Sequence, residues 1–498
     1  MPIPRFLWLI LIPLLSSPLV YFGGRIAERR RRKSPAQILS LLALLPAGVI
    51  CVDAAYGQGH SQNPQLLLGA IRLEADGVGM LLSAIVLVLG TLAVLFSASY
   101  VAEEAAQEKY YALLLAMIGV MVGLGFSSDL FNLWIWFEGI AITSYLLVSF
   151  YREQPASLEA GIKYLVQSAC GSALILWGIA LVLMTSGNLS LDSLGPGQGF
   201  SRSTQIAIGL FIAGFGVKAS LVPLHTWLPD AHSQAPSGIS AMLSGVVIEA
   251  GLIALLRVLA ALAGQQDHLG VVLMGIGALN MLVGNLMALG QREIKRLLAY
   301  SSVAQIGYMI LGVGLTIYSR SPEGAQGGFF HLVNHGLMKG LAFLAAGSFL
   351  YALHLRRGRH QPLTIEDLSG ASRRFPVHSL ALSIGVLGLG GLPPFAGFMS
   401  KWQIFAAGFQ THDAMPIVFV GFAALNSVLS LAYYAPIVNA LYRQSPSPDM
   451  QQTPPMPATM TIPIMLLAAG VLIIGLWPSV MNWLTQPASA ALMAALQR

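Results

Sequence analysis

Apolar residues run along the chain in stretches of roughly twenty, the length that carries an α-helix through the hydrocarbon of a bilayer. Charged or Gly/Pro-rich breaks separate them. Read this way, the sequence predicts fourteen spans, centred near residues 12, 45, 88, 118, 140, 174, 212, 250, 279, 306, 338, 387, 427 and 472. The longest non-apolar stretches, about 353–376 and 443–458, are linker-sized, so no soluble domain fits between spans. The first apolar run, Ile3 to Phe22, is followed by Arg25 and the block Arg29 to Lys33. A signal peptide carries its positive charge before its apolar run, so this segment reads as a retained first helix.

Composition agrees with the pattern. Of 498 residues, 55% are apolar and 10% charged, and mean hydropathy is +0.70. A soluble domain carries about a quarter charged residues. The shortfall excludes a soluble enzyme, a disordered chain and a conventional nucleic-acid binder, and makes the lipid bilayer the first partner. The two cysteines, Cys51 and Cys170, lie in separate apolar stretches, so neither a disulfide framework nor a cysteine-ligated cluster is indicated. There is no dinucleotide-binding strand–Gly–helix unit and no P-loop. The expectation for this chain is therefore no cofactor, no metal and no redox centre.

The net charge of +6 is unevenly placed. With the amino terminus outside, 18 basic residues fall in inside loops: Arg25, Arg29 to Arg32, Lys33, Lys109, Arg152, Lys163, Arg292, Lys295, Arg296, Arg356, Arg357, Arg359, Arg373, Arg374 and Arg443. Six fall outside: Arg5, Arg72, Arg202, Arg257, Arg320 and Arg498. Cytoplasmic loops retain Lys and Arg in this way, which favours fourteen spans with both termini outside. Three basic residues are left over, Lys218, Lys339 and Lys401, and all lie in or at the edge of apolar runs.

Ionisable side chains at membrane depth are costly and face a partner or a wet cavity. Besides the three lysines, Glu138 follows LWIWF and Glu249 interrupts GVVI. One reading makes Glu138 and Lys218 a structural ion pair that locks two helices. The other places a movable proton between them, because a lysine that loses its partner releases its proton more readily than a paired one. His331, His335 and Lys339 stand at i, i+4 and i+8 and share one helix face. Two His at that spacing can ligate zinc, but Lys339 repels a cation and no nearby Cys or carboxylate completes a set. The stripe reads more naturally as part of a hydrated proton path. His225 and His232 flank Trp227, Pro229 and Asp230 in a segment read as a structural, re-entrant connection. Tyr300, Ser301, Ser302, Gln305 and Tyr308 add polarity to the tenth span, and such groups also hold helices together.

Two spans carry helix breakers. Pro223, Pro229 and Pro236 follow Lys218, and Pro393-Pro394 interrupts a Gly-rich run shortly before Lys401. Broken backbone at membrane depth survives where protein or water satisfies the freed groups. The breaks lie 170 positions apart, and LVQS at Leu165 resembles LVNH at Leu332 at an offset of 167. An offset of five spans inverts the second copy, the pattern of an inverted-repeat transporter. The expected fold is an all-α integral membrane protein of about 14 transmembrane helices with two inverted five-helix repeats containing broken helices. Its predicted parts are 1–105 with helices 1–3, 106–264 with helices 4–8, 265–442 with helices 9–13, and 443–498 with a linker and helix 14.

The stretch DLFNLWIWFE ending at Glu138 resembles the fifth-helix motif of the antiporter-like subunits of complex I and of Mrp antiporters. Also similar to that family are VKASLVPLHTWLPDAHSQAPSGISAMLSG from Val217, IEAGLIALLR from Ile248, IKRLLAYSSVAQIGYM from Ile294, HLVNHGLMKGLAFLAAG from His331 and GLPPFAGFMSKW from Gly391. The resemblance covers about 130–440 in the family's order. It implies proton translocation through paired half-channels joined by a polar axis. On that pattern Glu138 and Lys218 form a switching pair, His331, His335 and Lys339 lie on the axis, and Lys401 is the distal proton site. It departs at Glu249, where many relatives carry lysine. A carboxylate there interrupts a Lys–Lys relay from Lys218 to Lys339, and either supplies a counterpart charge or marks a specialised branch.

The leading expectation is thus a proton-translocating membrane subunit of an NAD(P)H–quinone oxidoreductase-like complex, with the electron-transfer centres in other subunits. Its proton-transfer residues would be Glu138, Lys218, Glu249, His331, His335, Lys339 and Lys401. The resemblance implies other membrane subunits as partners, in a bacterial plasma membrane or a thylakoid-type membrane. The alternatives are a subunit of a multi-subunit Mrp-type Na+/H+ antiporter, with Na+ as a second ion, and a membrane scaffold that translocates nothing.

Overall fold

The structure is a computed structural model and describes residues 4–30, 32–57, 64–69, 71–194, 201–263, 267–357, 361–443, 445 and 448–497. Arg31, Arg359 and Arg498, which entered the loop-charge count, lie outside the described residues. The chain begins with α1 (Leu7–Arg29) and α2 (Ala36–Gly57) and a short antiparallel hairpin of β1 (Gln65–Leu68) and β2 (Ile71–Glu74). There follow α3 (Gly77–Tyr100), α4 (Gln107–Gly125), α5 (Leu130–Val148), α6 (Pro155–Ser186), α7 (Arg202–Lys218), α8 (Trp227–Gln234), α9 (Ser237–Met242) and α10 (Ile248–Ala263). The second half holds α11 (Asp267–Leu289), α12 (Ile294–Ser319), α13 (Glu323–Arg357), α14 (Pro376–Gly390), α15 (Ala396–Gln410) and α16 (Ala414–Arg443). The chain closes with α17 (Pro448–Gln451), α18 (Ala458–Leu476) and α19 (Asn482–Gln497).

Among the described residues, 12 helices are long and apolar enough to cross a membrane. Helices α7 and α14 are shorter, 17 and 15 residues, and each continues past a proline break into α8 or α15. These are the two interrupted spans, so the fourteen expected crossings are present. The residues between Met242 and Ile248 form a π-helical turn that joins α9 to α10 in one span.

The bundle sorts its helices by sequence. Helix α12 is enclosed on every side, whereas α2 and α16 show most of their apolar surface. Val418, Leu425 and Val428 of α16 are each more than 60% exposed, a cost in water but not beside lipid tails. With lipid outside, helices gain little from hydrophobicity alone and associate through close backbone approach at small residues. The α11–α12 contact shows it: a Cβ at Gly277 would come within 2.7 Å of the Gly307 carbonyl oxygen.

Two elements were absent from the sequence reading. The β-hairpin docks on the start of α5, where the Asp129 carboxylate caps the helix through the Asn132 N–H at 2.7 Å and accepts the Arg72 N–H at 3.1 Å. The acidic residue that opens the fifth-helix motif therefore has a structural task. Helix α19 is the second addition: it lies against α3, α10 and α13 beyond the last span, and the backbone at Pro487 leaves no room for a side chain at Gly77.

Candidate functional site

The polar groups freed at the two breaks are met by side chains. After α7, Asn280 of α11 accepts the Val222 N–H at 2.9 Å and donates to the Ser220 and Val303 carbonyls at 3.3 Å each, while Trp227 Nε1 donates to the Val217 carbonyl at 2.7 Å. After α14, the Leu389 carbonyl accepts from Gln305 Nε2 at 3.0 Å and from Lys401 Nζ at 2.9 Å. Ser427 donates to the Gly390 carbonyl at 3.1 Å, and Asn334 to Ala396 at 2.9 Å. Broken helices persist in a low-dielectric interior when their groups are so paired.

Six of the seven candidate residues, Lys218, Glu249, His331, His335, Lys339 and Lys401, are between 0 and 2% exposed. Lys218 ends α7, where the helix dipole favours a cation. Its ammonium donates to the Phe137 carbonyl at 3.2 Å and sits 4.4 Å from the centre of the Phe137 ring. Glu138, the next residue along α5, lies within electrostatic reach of Lys218, but no direct ion pair joins the two among the described contacts. One buried oxygen of Glu138 has no hydrogen-bond partner. The predicted pair is thus adjacent and disengaged, with the backbone of α5 holding the ammonium.

Helix α13 carries the central groups. His335 Nδ1 lies 2.7 Å from Glu249 Oε1, with both side chains wholly buried. Glu249 was open to two readings, a counterpart charge or the mark of a specialised branch; its carboxylate meets the His335 imidazole. Glu249 Oε2 and His335 Nε2 remain without partners. One turn on, Lys339 donates to the Leu298 carbonyl at 2.6 Å and to the Ser301 hydroxyl. One turn back, His331 lies 2.9 Å from both Gln305 Oε1 and Ser400 Oγ. The two histidines thus share a face but turn to different partners, and they do not converge on a common point as zinc ligands must. Lys401 is held by Leu389, by Ser427 Oγ at 2.9 Å and over the Tyr308 ring at 4.6 Å. Among the described residues no group of three or more His, Cys, Asp or Glu side chains gathers as a metal site.

A family profile described as NADH:quinone oxidoreductase/Mrp antiporter, transmembrane, matches residues 127–430. The chain belongs to this family. It is 30% identical over 501 residues to an NADH-quinone oxidoreductase subunit N from Deinococcus radiodurans, a match covering 97% of this chain and 96% of the other. It is 31% identical over 413 residues to subunit N of the F420H2 dehydrogenase of Methanosarcina mazei, covering 82% of each. Among solved structures, a subunit of an archaeal membrane-bound sulfane sulfur reductase superposes with a TM-score of 0.85 at 27% identity over 99% of both chains. One from the respiratory complex I of Thermus thermophilus gives 0.76 at 27% identity, over 94% of this chain and 98% of that one. A subunit of the Mrp complex from Dietzia shares the fold, with a TM-score of 0.86 at 22% identity over 99% of each. This is a multi-pass integral membrane protein whose structural neighbours sit in multi-subunit membrane complexes.

Within this NADH:quinone oxidoreductase/Mrp antiporter chain, sequence reasoning missed several buried polar residues. Lys295 was counted as an inside-loop charge; it is 4% exposed at the start of α12 and donates to the Ala235 carbonyl at 2.6 Å. Its position two residues into a span was the available signal. His232, read as structural, is wholly buried, stacks on Phe343 at 4.7 Å and has no partner on either ring nitrogen. Asp230, in the same segment, pairs with Lys163 at 3.0 Å and Arg296 at 2.5 Å, joining α6, α8 and α12.

Proposed function

We propose that this chain is the proton-translocating membrane subunit of an NAD(P)H–quinone oxidoreductase-like complex. Protons would pass by way of Glu138, Lys218, Glu249, His335, Lys339, His331 and Lys401, while electron transfer takes place in other subunits. One observation carries the reading: six ionisable side chains are buried to within 2% of complete enclosure across α7, α10, α13 and α15. Each lysine at bilayer depth costs about 3 kcal/mol on insertion scales, and a bundle that needed only stability would replace such groups with apolar ones. The lone oxygen of Glu138, the second oxygen of Glu249 and Nε2 of His335 are buried acceptor or donor positions still open to a proton or a water. On this reading residues 106–264 and 265–442 are the two inverted repeats, each with one interrupted span, between 1–105 and 443–498.

The test is proton uptake into proteoliposomes holding the purified complex, driven by its electron donor. Lys339→Met should leave electron transfer measurable and remove most proton uptake. Unchanged uptake by an assembled Lys339→Met complex rejects the reading. The same vesicles separate the antiporter alternative, in which an imposed proton gradient drives Na+ movement with no electron donor present.

A further inference from the structure

Gln305 stands between two of the proposed proton carriers, and its amide orientation is fixed by what it touches. Its Nε2 lies 3.0 Å from the Leu389 carbonyl oxygen, which can only accept, so the NH2 end of the amide must face it. The carbonyl end then faces His331 Nε2 at 2.9 Å. An amide oxygen only accepts, so the His331 proton sits on Nε2. Nδ1 is left as the acceptor and takes the Ser400 hydroxyl hydrogen at 2.9 Å, in preference to the longer bonds of 3.3 and 3.4 Å that this hydroxyl can make to Gly397 and Ala396. The reversed amide would set two carbonyl oxygens against each other at Leu389.

The groups around this ring are few. Lys401, next to Ser400 in the chain, shares the Leu389 carbonyl with Gln305. The Tyr308 ring lies 5.6 Å from the imidazole, and its hydroxyl is committed to the Ala423 carbonyl at 3.1 Å. The buried Tyr434 hydroxyl faces Ser301 and Gln305 without a well-formed hydrogen bond.

We propose that Gln305 is a positioning residue that sets the tautomer of His331 and thereby closes the imidazole to through-passage of protons until the amide turns away. The proposal rests on the reading of His331 as a proton carrier. A proton arriving from the Ser400 side bonds to the Nδ1 lone pair and makes an imidazolium with N–H groups on both nitrogens. The Nε2 proton cannot move on to Gln305, because an amide oxygen is not basic enough to take it. It leaves only after the amide rotates and a water takes its place at Nε2 to accept the proton, and the N–H electron pair then stays on the ring. With Gln305 in place, the imidazolium returns its proton through Nδ1 alone.

The experiment uses the full-length chain in its membranes, labelled with 15N-histidine, with His331→Asn identifying the His331 signals by difference. Nitrogen shifts separate a protonated from an unprotonated ring nitrogen. The wild type should show a neutral His331 protonated at Nε2. Ser400→Ala should leave that tautomer in place, and Gln305→Met should replace it with a mixture or with the Nδ1-protonated form. A wild-type ring protonated at Nδ1, or a Gln305→Met ring unchanged from wild type, overturns the proposal. Should Gln305→Met fail to fold, the wild-type and Ser400→Ala spectra decide. Proton leak provides the second arm: Gln305→Ala, which leaves room for a water at Nε2, should let vesicles lose an imposed proton gradient several-fold faster than wild type, and an unchanged rate overturns the gating role. If the tautomers follow Gln305 but His331→Asn pumps normally, the carrier reading fails and the positioning stands.

Discussion

Glu249 and His335 meet at 2.7 Å, Oε1 to Nδ1, with no solvent access to either side chain. Each keeps one unpaired polar atom, so the pair can hold a shared proton and still offer a further site on either side. Glu249→Gln should assemble and retain the contact with His335 but lose most proton uptake. Glu249→Lys sets an ammonium against His335, one turn from Lys339, and should both abolish uptake and lower the melting temperature of the extracted complex. Breaking a buried pair by removing one partner costs about 3–5 kcal/mol. If Glu249→Lys pumps like wild type, the sign of that charge is no part of the mechanism.

Lys218 is held by the Phe137 carbonyl with Glu138 beside it. Lys218→Ala and Glu138→Ala should each leave assembly largely intact and abolish coupled proton movement in proteoliposomes. Near-normal pumping by either assembled variant would remove these two residues from the path.

Asn280 satisfies two backbone groups at the first break and also bonds the Val303 carbonyl of α12. Asn280→Ala removes the side-chain partner of the two break groups, the Val222 N–H and the Ser220 carbonyl, at about 1–3 kcal/mol for each buried group left unpaired. A clear drop in the melting temperature of the detergent-extracted chain is expected. Loss of pumping should follow from displacement of α8 rather than from any proton chemistry at position 280.

Outside the spans, Asp367 titrates in a way that links stability to pH. Burial alone would raise its carboxyl, but the Thr364 backbone N–H at 2.9 Å and the Arg357 guanidinium at 2.7 Å outweigh it and hold it below its ordinary value of 3.8. A carboxyl depressed on folding stabilises fully above its unfolded value and loses that contribution as pH falls through the folded one. Melting curves should therefore show Asp367→Asn less stable than wild type from pH 7 down to about 5, with the gap closing below about pH 4. A gap that does not narrow at all as pH falls below 3.8 would mean the carboxylate charge is not its source.

Hydropathy made the spans legible because each crossing must bury about twenty residues' worth of backbone on its own, and the same rule made Lys218, Lys339 and Lys401 stand out. Pairings were not legible. Nothing near Glu249 in the chain announces His335, and the Leu389 carbonyl that orients Gln305 is invisible in a side-chain alphabet. Lys295 was misplaced because a span boundary drawn from apolar runs puts a charged first turn into the loop. The hairpin escaped because four-residue strands between long helices carry too little alternation, and α19 because its small residues dilute the apolar pattern.

The π-helical turn at Leu243–Val247 has a consequence for how Glu249 came to stand where it does. A wide turn accommodates one residue beyond the α-helical count, and one residue is about 100° of rotation. The span therefore runs in two phases: Ser240 and Ser244 answer to one angular setting, with Ser244 bonded to Ser302 at 2.6 Å, and Glu249 answers to another. Deleting one residue from 243–247 would restore a continuous α-helix and swing either the serines or the carboxylate off its partner, even though no side chain in the pair had changed. The turn works as a clutch between the two ends of a single helix. It sets the angle at which Glu249 meets His335 independently of the angle at which Ser244 meets Ser302.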